Sequence, residues 1–297
     1  MDNRSDIRDF LATRRARLTP EQVGLPAGGG RRRVSGLRRE EVAVRAGVST
    51  EWYTRLEKGH ISGISDDVLE AVARALQLDE EETAYLLELA RAARPKSPTR
   101  RRRAVKVDPS VQWLLDSMSM SAAFVTNGRL DMVAANALGR ALYFELLNGP
   151  VRDGAGRGNL ARYTFLDPSS RRFYADWDAA ADTTAALLRA EAGRNPNDKA
   201  LRELVGELST LSPEFRTRWA AHNVRLHHGG LKRFQHHAVG PLELTYHPLT
   251  LPISMHEAHT LTAYVAAPGS NSEDKLKLLA SWAATGTPAT SASDVTA

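Results

Sequence analysis

The sequence of 297 residues contains no cysteine and no long apolar run. Without cysteine, the chain can form neither disulfides nor thiolate metal sites, and it has no cysteine nucleophile. No apolar stretch approaches the roughly 18 residues that a membrane-spanning helix needs, and the N-terminus is charged, unlike a secretory signal. We therefore expect a cytoplasmic protein that makes no contact with membranes.

Motifs of several common enzyme classes are also missing. The chain has no GxSxG nucleophile elbow, no phosphate-binding P-loop and no GxGxxG dinucleotide motif. Acidic residues and histidines are present, but their spacing does not assemble a base with a nucleophile. We expect a protein that is not an enzyme and that needs no cofactor.

Positive charge is concentrated near the N-terminus. Residues 1–104 hold 21 lysines and arginines against 16 acidic residues, whereas residues 105–297 hold 19 of each, so the net charge of +5 belongs to the first third. A basic module joined to a neutral one is typical of a nucleic-acid-binding domain with a partner domain.

Residues 37–59 predict two short helices joined by a tight turn. Gly47 supplies the turn, because a residue without Cβ adopts positive φ at little cost. Ser49 follows as the N-cap of the second helix, and Gly59 ends that helix. This arrangement is a helix-turn-helix, which lays its second helix in the major groove of DNA. A helical hairpin with a solvated charged face is the alternative.

The second helix has an apolar stripe and a polar face. At about 100° per residue, Val48, Trp52 and Leu56 form the stripe, and Thr50 and Thr54 point away from it. Hydroxyl and carboxylate groups can bind base edges, and basic groups bind phosphates. The candidates for base edges are Thr50, Glu51, Tyr53 and Thr54, those for phosphates are Arg38, Arg39 and Lys58, and Ser49 stands beside them at the start of the helix.

A second basic group follows three glycines at positions 28–30. A flexible segment that ends in arginines can adapt to a phosphate backbone or enter a minor groove. Arg31, Arg32 and Arg33 are therefore further candidates for DNA contact. A solvated loop is the alternative.

The motifs of the two halves resemble known families. The N-terminal part resembles the Cro/C1-type helix-turn-helix of the XRE family, and the remainder resembles the MmyB-like regulators, whose C-terminal domain is PAS-like and binds a ligand. The N-terminal motifs are Gly36-Leu-Arg-Arg-Glu-Glu-Val-Ala, Ala46-Gly-Val-Ser and Tyr53-Thr-Arg-Leu-Glu-Lys-Gly59; the C-terminal ones include Arg157-Gly-Asn159, Phe165-Leu-Asp-Pro168, Ser212-Pro-Glu-Phe215 and Trp219-Ala-Ala-His222. His236-His237 departs from the family pattern, which has His followed by Pro.

These patterns predict two domains with distinct folds. We expect an all-α five-helix Cro/C1-type domain over residues 1–93 and a basic Pro/Arg-rich linker over 94–106. An α+β PAS-like domain should follow over 107–284, with a disordered tail over 285–297. A hairpin around Asn127-Gly128 and later strands near 231–237, 242–249 and 261–266 support the α+β assignment.

A ligand-binding cavity in the second domain should be mainly apolar with a few polar anchors. Asn136, at the step from sheet to helix, is the polar candidate, and an N-cap role suits it equally well. Ordinary core packing is the alternative for each of the large apolar candidates. These are Trp113, Phe124, Met132, Phe165, Trp177, Phe215 and Trp219.

Histidines are concentrated in one segment, because eight of the nine lie between His222 and His259. Neighbouring strands could bring His236 near His247, and clustered imidazoles suit transition metals. Paired histidines in a strand point to opposite faces, however, and no HExxH spacing occurs. We therefore predict no metal site.

Together these features predict a bacterial transcription regulator that binds an operator in double-stranded DNA as a homodimer. Its second domain would bind a small, apolar, fatty-acid-like effector that alters DNA affinity. A metal- or haem-responsive regulator that uses the histidine-rich segment is the alternative.

Overall fold

The computed structural model describes residues 3–25, 36–61, 64–92, 108–151, 157–221, 229–254 and 257–285. The helices in chain order are α1 (Asn3–Arg17), α2 (Arg39–Ala46), α3 (Thr50–Glu57), α4 (Asp66–Ala75), α5 (Glu80–Ala92), α6 (Pro109–Ser117), α7 (Ala137–Leu142), α8 (Phe144–Asn148), α9 (Leu160–Leu166), α10 (Ser169–Phe173), α11 (Trp177–Arg194), α12 (Lys199–Leu211), α13 (Pro213–Ala220) and α14 (Asn271–Thr285). The strands are β1 (Ala122–Thr126), β2 (Met132–Ala135), β3 (Gly230–His236), β4 (Gly240–Ser254) and β5 (Glu257–Val265).

The chain forms two compact units. The helical unit comprises Met1–Arg102 together with Asp182–Leu226, and the sheet unit comprises Arg103–Ala181 together with His227–Ala297. A helical domain followed by an α+β domain is the predicted fold class, and it is confirmed. The division by packing differs from the predicted domain bounds at residues 182–226, which join the helical unit. The linker 94–106 and nearly all of the tail 285–297 lie outside the described residues.

The core of the helical unit is built from the apolar stripes of α1 to α5. Ile7, Phe10 and Leu11 of α1 are fully buried, as the helical spacing of these residues predicts. They belong to the same buried cluster as Leu69 and Val72 of α4. The five predicted helices are therefore present, and α1 and α4 bury the faces that their sequences indicate.

The sheet unit contains one antiparallel sheet in the order β2-β1-β5-β4-β3. One face packs on an aromatic-rich core with α7 and α14, and the other is covered around β1 by Leu115 of α6. Because β1 is buried on both faces, all five of its residues are buried, Phe124 toward the aromatic core and Val125 toward α6. The sheet thus presents an apolar inner face to the helical layer.

The hairpin between β1 and β2 is longer than the two-residue turn that the sequence predicts. The Asn127 side-chain oxygen accepts hydrogen bonds from the backbone N–H groups of Arg129 and Asp131, both at 3.0 Å. Leu130 follows with φ +64°. The asparagine side chain therefore closes an Asx-type turn that occupies the positions predicted for the start of the second strand.

Candidate DNA-binding surface and ligand-binding core

The turn between α2 and α3 has the geometry that the sequence predicts. Gly47 ends α2 with φ +68°, and its N–H donates to the Val44 carbonyl at 3.2 Å. Ser49 is the N-cap of α3, and its hydroxyl accepts a hydrogen bond from the Trp52 N–H at 3.1 Å. A left-handed glycine and a side-chain cap together set the direction in which α3 leaves the turn.

The exposed face of α3 is rotated relative to the prediction. Tyr53, Leu56 and Glu57 are buried, whereas Trp52 is only partly buried. Since each residue advances by about 100°, the inward direction lies near Leu56 and Tyr53 and not near Trp52. The solvent-exposed face of α3 carries polar and charged side chains, and it includes an arginine that the prediction left out. Its exposed residues are Thr50, Glu51, Arg55 and Lys58.

Tyr53 is the clearest correction among the DNA-contact candidates. Its side chain is 0% exposed, so it cannot reach a base edge from this position. Burial raises the pKa of the Tyr53 hydroxyl well above its ordinary value, with a further rise from the nearby Glu57 charge. The tyrosine belongs to the core that holds α3.

Thr50 and Thr54 differ in how open they are to solvent. Thr50 is exposed, while Thr54 is partly buried and donates its hydroxyl to the Thr50 carbonyl at 2.7 Å. This hydrogen bond occupies the Thr54 hydroxyl hydrogen within the helix. Thr50 is therefore the more open of the two candidates, and Ser49 beside it is also exposed.

A buried carboxylate fixes α3 in place. Glu57 is 1% exposed and accepts two hydrogen bonds from the Arg15 guanidinium of α1, both at 2.9 Å. Arg39, at the start of α2, donates to the same carboxylate at 3.0 and 3.1 Å. Glu57 therefore joins three helices at one point.

Arg39 and Arg38 differ in their surroundings. Arg39, predicted to bind phosphate, uses Nε and Nη2 to bind Glu57 but remains half exposed. Arg38 is exposed to the same extent, but only its Nη1 approaches a carboxylate, that of Glu40 at 3.4 Å, and its backbone N–H donates to Glu41 at 2.6 Å. Arg38 keeps more of its guanidinium available for a phosphate.

The charge state of Glu57 follows from these partners. Burial by itself would raise the pKa of the Glu57 carboxyl, but the hydrogen bonds and charges of Arg15 and Arg39 outweigh burial and lower it. The hydrogen bonds that Arg15 donates to Glu57 raise the pKa of Arg15 in turn. Glu57 is therefore ionised wherever the helical unit is folded near neutral pH.

Two features of this surface escaped the sequence analysis. Arg55 is exposed one helical turn after Glu51, on the polar face of α3. The Arg15–Glu57 pair joins residues 42 positions apart, for which no local pattern exists. The candidates Arg31, Arg32 and Arg33 lie outside the described residues.

The core of the sheet unit is dense in aromatic rings. Phe124 of β1 packs edge-on to Tyr143 with ring centroids 5.2 Å apart, and Phe234 of β3 lies 5.0 Å from Phe173. Tyr264 of β5 lies 5.3 Å from Phe234. Rings from the sheet and from the helical layer therefore meet in one buried cluster, which we call the aromatic core (Phe124, Tyr143, Tyr163, Phe173, Tyr174, Phe234, Tyr246 and Tyr264).

Tyrosine hydroxyls place polar groups within this apolar environment. The hydroxyl oxygens of Tyr143 and Tyr264 lie 3.2 Å apart, which is within hydrogen-bond distance. Burial raises the pKa of Tyr174 to about 12, and it raises the pKa values of Tyr143 and Tyr264 well above their ordinary value. The aromatic core thus offers neutral hydroxyl donors and acceptors among apolar ring faces.

Lys232 of β3 adds a cation at the edge of the aromatic core. Its ammonium nitrogen lies 4.8 Å from the centroid of the Tyr174 ring and 5.8 Å from that of Phe234. Burial lowers the pKa of Lys232 to about 8. Sequence reasoning did not single out this lysine, because a lone lysine in a strand carries no distinguishing pattern.

Asn136 is fully engaged by the backbone around it. Its side-chain oxygen accepts from the N–H groups of Gly139 at 2.7 Å and Ala123 at 3.1 Å. Its amide donates to the carbonyls of Ser121 at 2.8 Å and Met118 at 2.9 Å. Asn136 is therefore the N-cap of α7, which was the alternative to a ligand-binding role, and its two donated hydrogen bonds use both of its amide hydrogens.

The remaining ligand candidates do not form one group. Phe124 and Met132 are buried in the core of the sheet unit. Trp113 is 72% exposed on α6. Phe165 and Trp177 pack edge-on to each other with centroids 6.1 Å apart, and the Trp177 indole donates to the Thr164 carbonyl at 3.0 Å.

The last two candidates, Phe215 and Trp219, belong to the helical unit. Their rings stack on α13 with centroids 5.4 Å apart. They therefore belong to a different compact unit from Phe124 and Met132.

The histidine-rich segment does not bring His236 to His247. In the β3–β4 register His236 faces Gly240, seven residues before His247, and this separates them by about 23 Å along the strand. His236 Nδ1 accepts from the Ala238 N–H at 3.2 Å, and its Nε2 lies 3.1 Å from the Ala141 carbonyl. Both ring nitrogens of this buried histidine are occupied, and burial lowers its pKa.

The described ranges contain no candidate metal site. Within them, no three histidine or acidic side chains are grouped to hold a metal ion. His222, His227, His228 and His256 lie outside these ranges. No helix in the described part of the chain combines the length and apolar character that crossing a membrane requires.

Comparison with known families agrees with this geometry. Residues 6–86 match a helix-turn-helix domain family, and residues 107–279 match the MmyB-like transcription regulator ligand binding domain. No curated protein matches the chain significantly. Both families are regulatory and not enzymatic, and the resemblance inferred from the motifs is confirmed. Because the second match spans more than half of the chain, the chain belongs to the MmyB-like family of DNA-binding transcription regulators with a ligand-binding domain.

Proposed function

We propose that this regulator recognises a specific operator sequence as a homodimer, and that a small, mainly apolar effector bound by the sheet unit changes its affinity for DNA. The observation that carries the DNA-binding part is the polar face of α3. Thr50, Glu51, Arg55 and Lys58 are exposed there, while the opposite side is fixed through Glu57. A rigid helix with an exposed hydroxyl, carboxylate and guanidinium suits direct reading of base edges.

Dimerisation is proposed on geometric grounds. One recognition helix reads only a few base pairs, and helix-turn-helix proteins achieve their specificity by binding two half-sites about one helical turn apart. Operator DNA should therefore contain an inverted repeat. Sedimentation of the full chain with and without such a duplex would measure the stoichiometry, and a 1:1 complex would contradict the proposal.

The effector part rests on the aromatic core. Buried ring faces favour an apolar ligand, and the neutral hydroxyls of Tyr143 and Tyr264 can bind a polar group that such a ligand carries. By linkage, the effector and the DNA must each change the other's affinity by the same factor.

Selection from a random duplex library with the full chain tests the DNA-binding part. The expected result is enrichment of one inverted repeat. An Arg38→Ala variant should select the same sequence more weakly, since a phosphate contact carries no sequence information. If the protein retained all duplexes of the library equally well, sequence-specific binding would be contradicted.

Native mass spectrometry of freshly purified protein, followed by a thermal-shift screen of lipophilic metabolites, tests the effector part. A ligand at a hundredfold excess over its dissociation constant stabilises the folded state by about 2.7 kcal/mol. Phe124→Ala should abolish the shift if the ligand lies in the aromatic core, and Trp113→Ala, at an exposed site, should leave it unchanged. A shift that Phe124→Ala leaves intact would contradict this location.

A further inference from the structure

One segment belongs to the ligand-binding family by sequence and to the helical unit by packing. Residues 107–279 match the ligand-binding domain, yet residues 182–221, inside that range, pack with the N-terminal helices. We call residues 182–221 the bridging segment. It contains the greater part of α11 and all of α12 and α13.

The bridging segment contacts α1 through a buried arginine. Arg189 of α11 is 2% exposed, and its Nη1 lies 4.0 Å from a carboxylate oxygen of Asp6. The guanidinium stacks over the Trp219 ring with Cζ 4.0 Å from the centroid, and its Nη2 donates to the Trp219 carbonyl. Arg189 therefore holds α11, α13 and α1 at one point.

The same segment also packs closely on α5. A Cβ added to Gly193 would lie 3.0 Å from the Tyr85 ring and 3.3 Å from the Leu89 side chain, so the α11 backbone approaches α5 where it has no side chain. Burial raises the pKa of Tyr85 to about 12, and the positive charge of Arg189 opposes that rise. At the end of α1, Arg17 donates to the Ala221 carbonyl at 3.5 Å.

Helix α1 connects this contact to the recognition helix. Asp6, near the start of α1, faces Arg189, and Arg15, about 13 Å further along the helix axis, binds Glu57 of α3. A helix is stiff over this length, so a displacement of its first turns also moves Arg15. The contacts therefore form a continuous physical connection from the bridging segment to α3.

We propose that Arg189 is a positioning residue that couples the ligand-binding domain to DNA binding, acting through α1 and the Arg15–Glu57 pair. This proposal rests on the proposed DNA-binding function. Its consequence can be tested without knowledge of the effector, because coupling acts in both directions: we expect DNA bound at α3 to change the local stability of the sheet unit.

Hydrogen exchange of the full chain, with and without the duplex selected from the random library, measures this coupling. In the wild type, DNA should change exchange rates in β1, β4 and β5 at least about fivefold. In Arg189→Met the change in the strands should disappear while slowed exchange in α3 remains. Arg218→Met is the matched control, because Arg218 binds Asp182 within the bridging segment at 2.8 Å, and it should retain the strand response.

Arg189→Lys provides a second variant if Arg189→Met does not fold. It keeps the charge but loses the planar group that stacks on Trp219, so the strand response should fall below that of wild type. A full strand response in a folded Arg189 variant overturns the proposal. A wild type that binds the duplex without any strand response also overturns it and leaves DNA binding intact. Failure to enrich any duplex would contradict the proposed function itself.

Discussion

Arg15 and Glu57 form a two-pronged ion pair between the first helix and the recognition helix. Both Glu57 carboxylate oxygens accept from the Arg15 guanidinium at 2.9 Å, and Glu57 is buried. A buried carboxylate is expensive unless its oxygens are hydrogen-bonded and its charge is matched. Arg15 and Arg39 supply both the hydrogen bonds and the opposite charge. The Arg15–Glu57 ion pair also sets the orientation of α3 relative to α1.

Replacing Glu57 by glutamine should destabilise the helical unit by about 2–3 kcal/mol. This loss lies below the roughly 3–5 kcal/mol typical of breaking a fully buried pair, because Arg39 is half exposed and can turn to water. Chemical denaturation of the full chain, followed by tryptophan fluorescence, measures the loss. Glu51→Gln, on the exposed face, is the control and should change stability by less than about 0.5 kcal/mol. Equal effects of the two variants would contradict a structural role for Glu57.

The same carboxylate predicts an acid-sensitive component of stability. The pKa of Glu57 is lower in the folded chain than in the unfolded chain, so its contribution is present above the unfolded value of about 4.3. As the pH falls below that value, the unfolded state binds the proton first, and the contribution is lost on the way down to the folded pKa. Unfolding free energies between pH 6 and 3 should therefore fall more steeply for wild type than for Glu57→Gln. If the unfolding free energies of the two proteins fell in parallel over this pH range, Glu57 would not be the source of the acid-sensitive component.

In the sheet unit, Asn136→Ala should lower stability by about 2–4 kcal/mol. The change removes an N-cap, typically worth about 1 kcal/mol, and leaves buried backbone groups of β1 and the preceding turn without partners. Asn136→Ser keeps a capping oxygen without a charge but loses both amide donors, so its effect should be intermediate. Thermal unfolding of the full chain gives the order, and a serine variant as unstable as alanine would argue against the cap.

Lys232→Met should raise the melting temperature at pH 7. The pKa of Lys232 is about 8 in the folded chain and about 10.4 when unfolded, so folding carries a free-energy penalty for the protonated side chain. That penalty is present below pH 8 and disappears as the pH rises through the interval between the two values. The advantage of the variant should therefore shrink between pH 8 and 10. An advantage that does not change over this range would contradict a lowered pKa of Lys232 in the folded chain.

Local patterns predicted the parts of the fold that local chemistry determines. Gly47 and Ser49 form the turn and cap because glycine tolerates positive φ and serine accepts from free helix amides. Helical periodicity places Tyr53 on the wrong face, because it locates an apolar stripe only to within about one residue. Glu57, one helical turn after Tyr53, is also buried, because it binds Arg15 of α1 and Arg39 of α2. Periodicity within α3 cannot predict these partners on other helices.

Long-range packing could not be predicted in the same way. The amphipathic pattern of α12 identifies Leu201, Leu204 and Leu208 as a buried face but does not identify what covers it. The grouping of residues 182–226 with the helical unit follows from long-range contacts such as that of Arg189 with Asp6, 183 positions earlier. The register that separates His236 from His247 likewise follows from the β3–β4 turn and not from composition.

Equilibrium DNA affinity measured over 50–200 mM salt, for the selected duplex and for a shuffled duplex, tests the central claim most directly. Wild type should bind the selected duplex at least about a thousandfold more tightly. Thr50→Ala and Arg55→Ala should each reduce that ratio. The free-energy difference between the two duplexes should fall by about 1–3 kcal/mol for every base edge that is no longer bound. Lys58→Ala should weaken binding to both duplexes equally and flatten the salt dependence by about one unit of slope. Equal affinity of the wild type for both duplexes, or unchanged discrimination in Thr50→Ala and Arg55→Ala alike, would contradict recognition by the exposed face of α3.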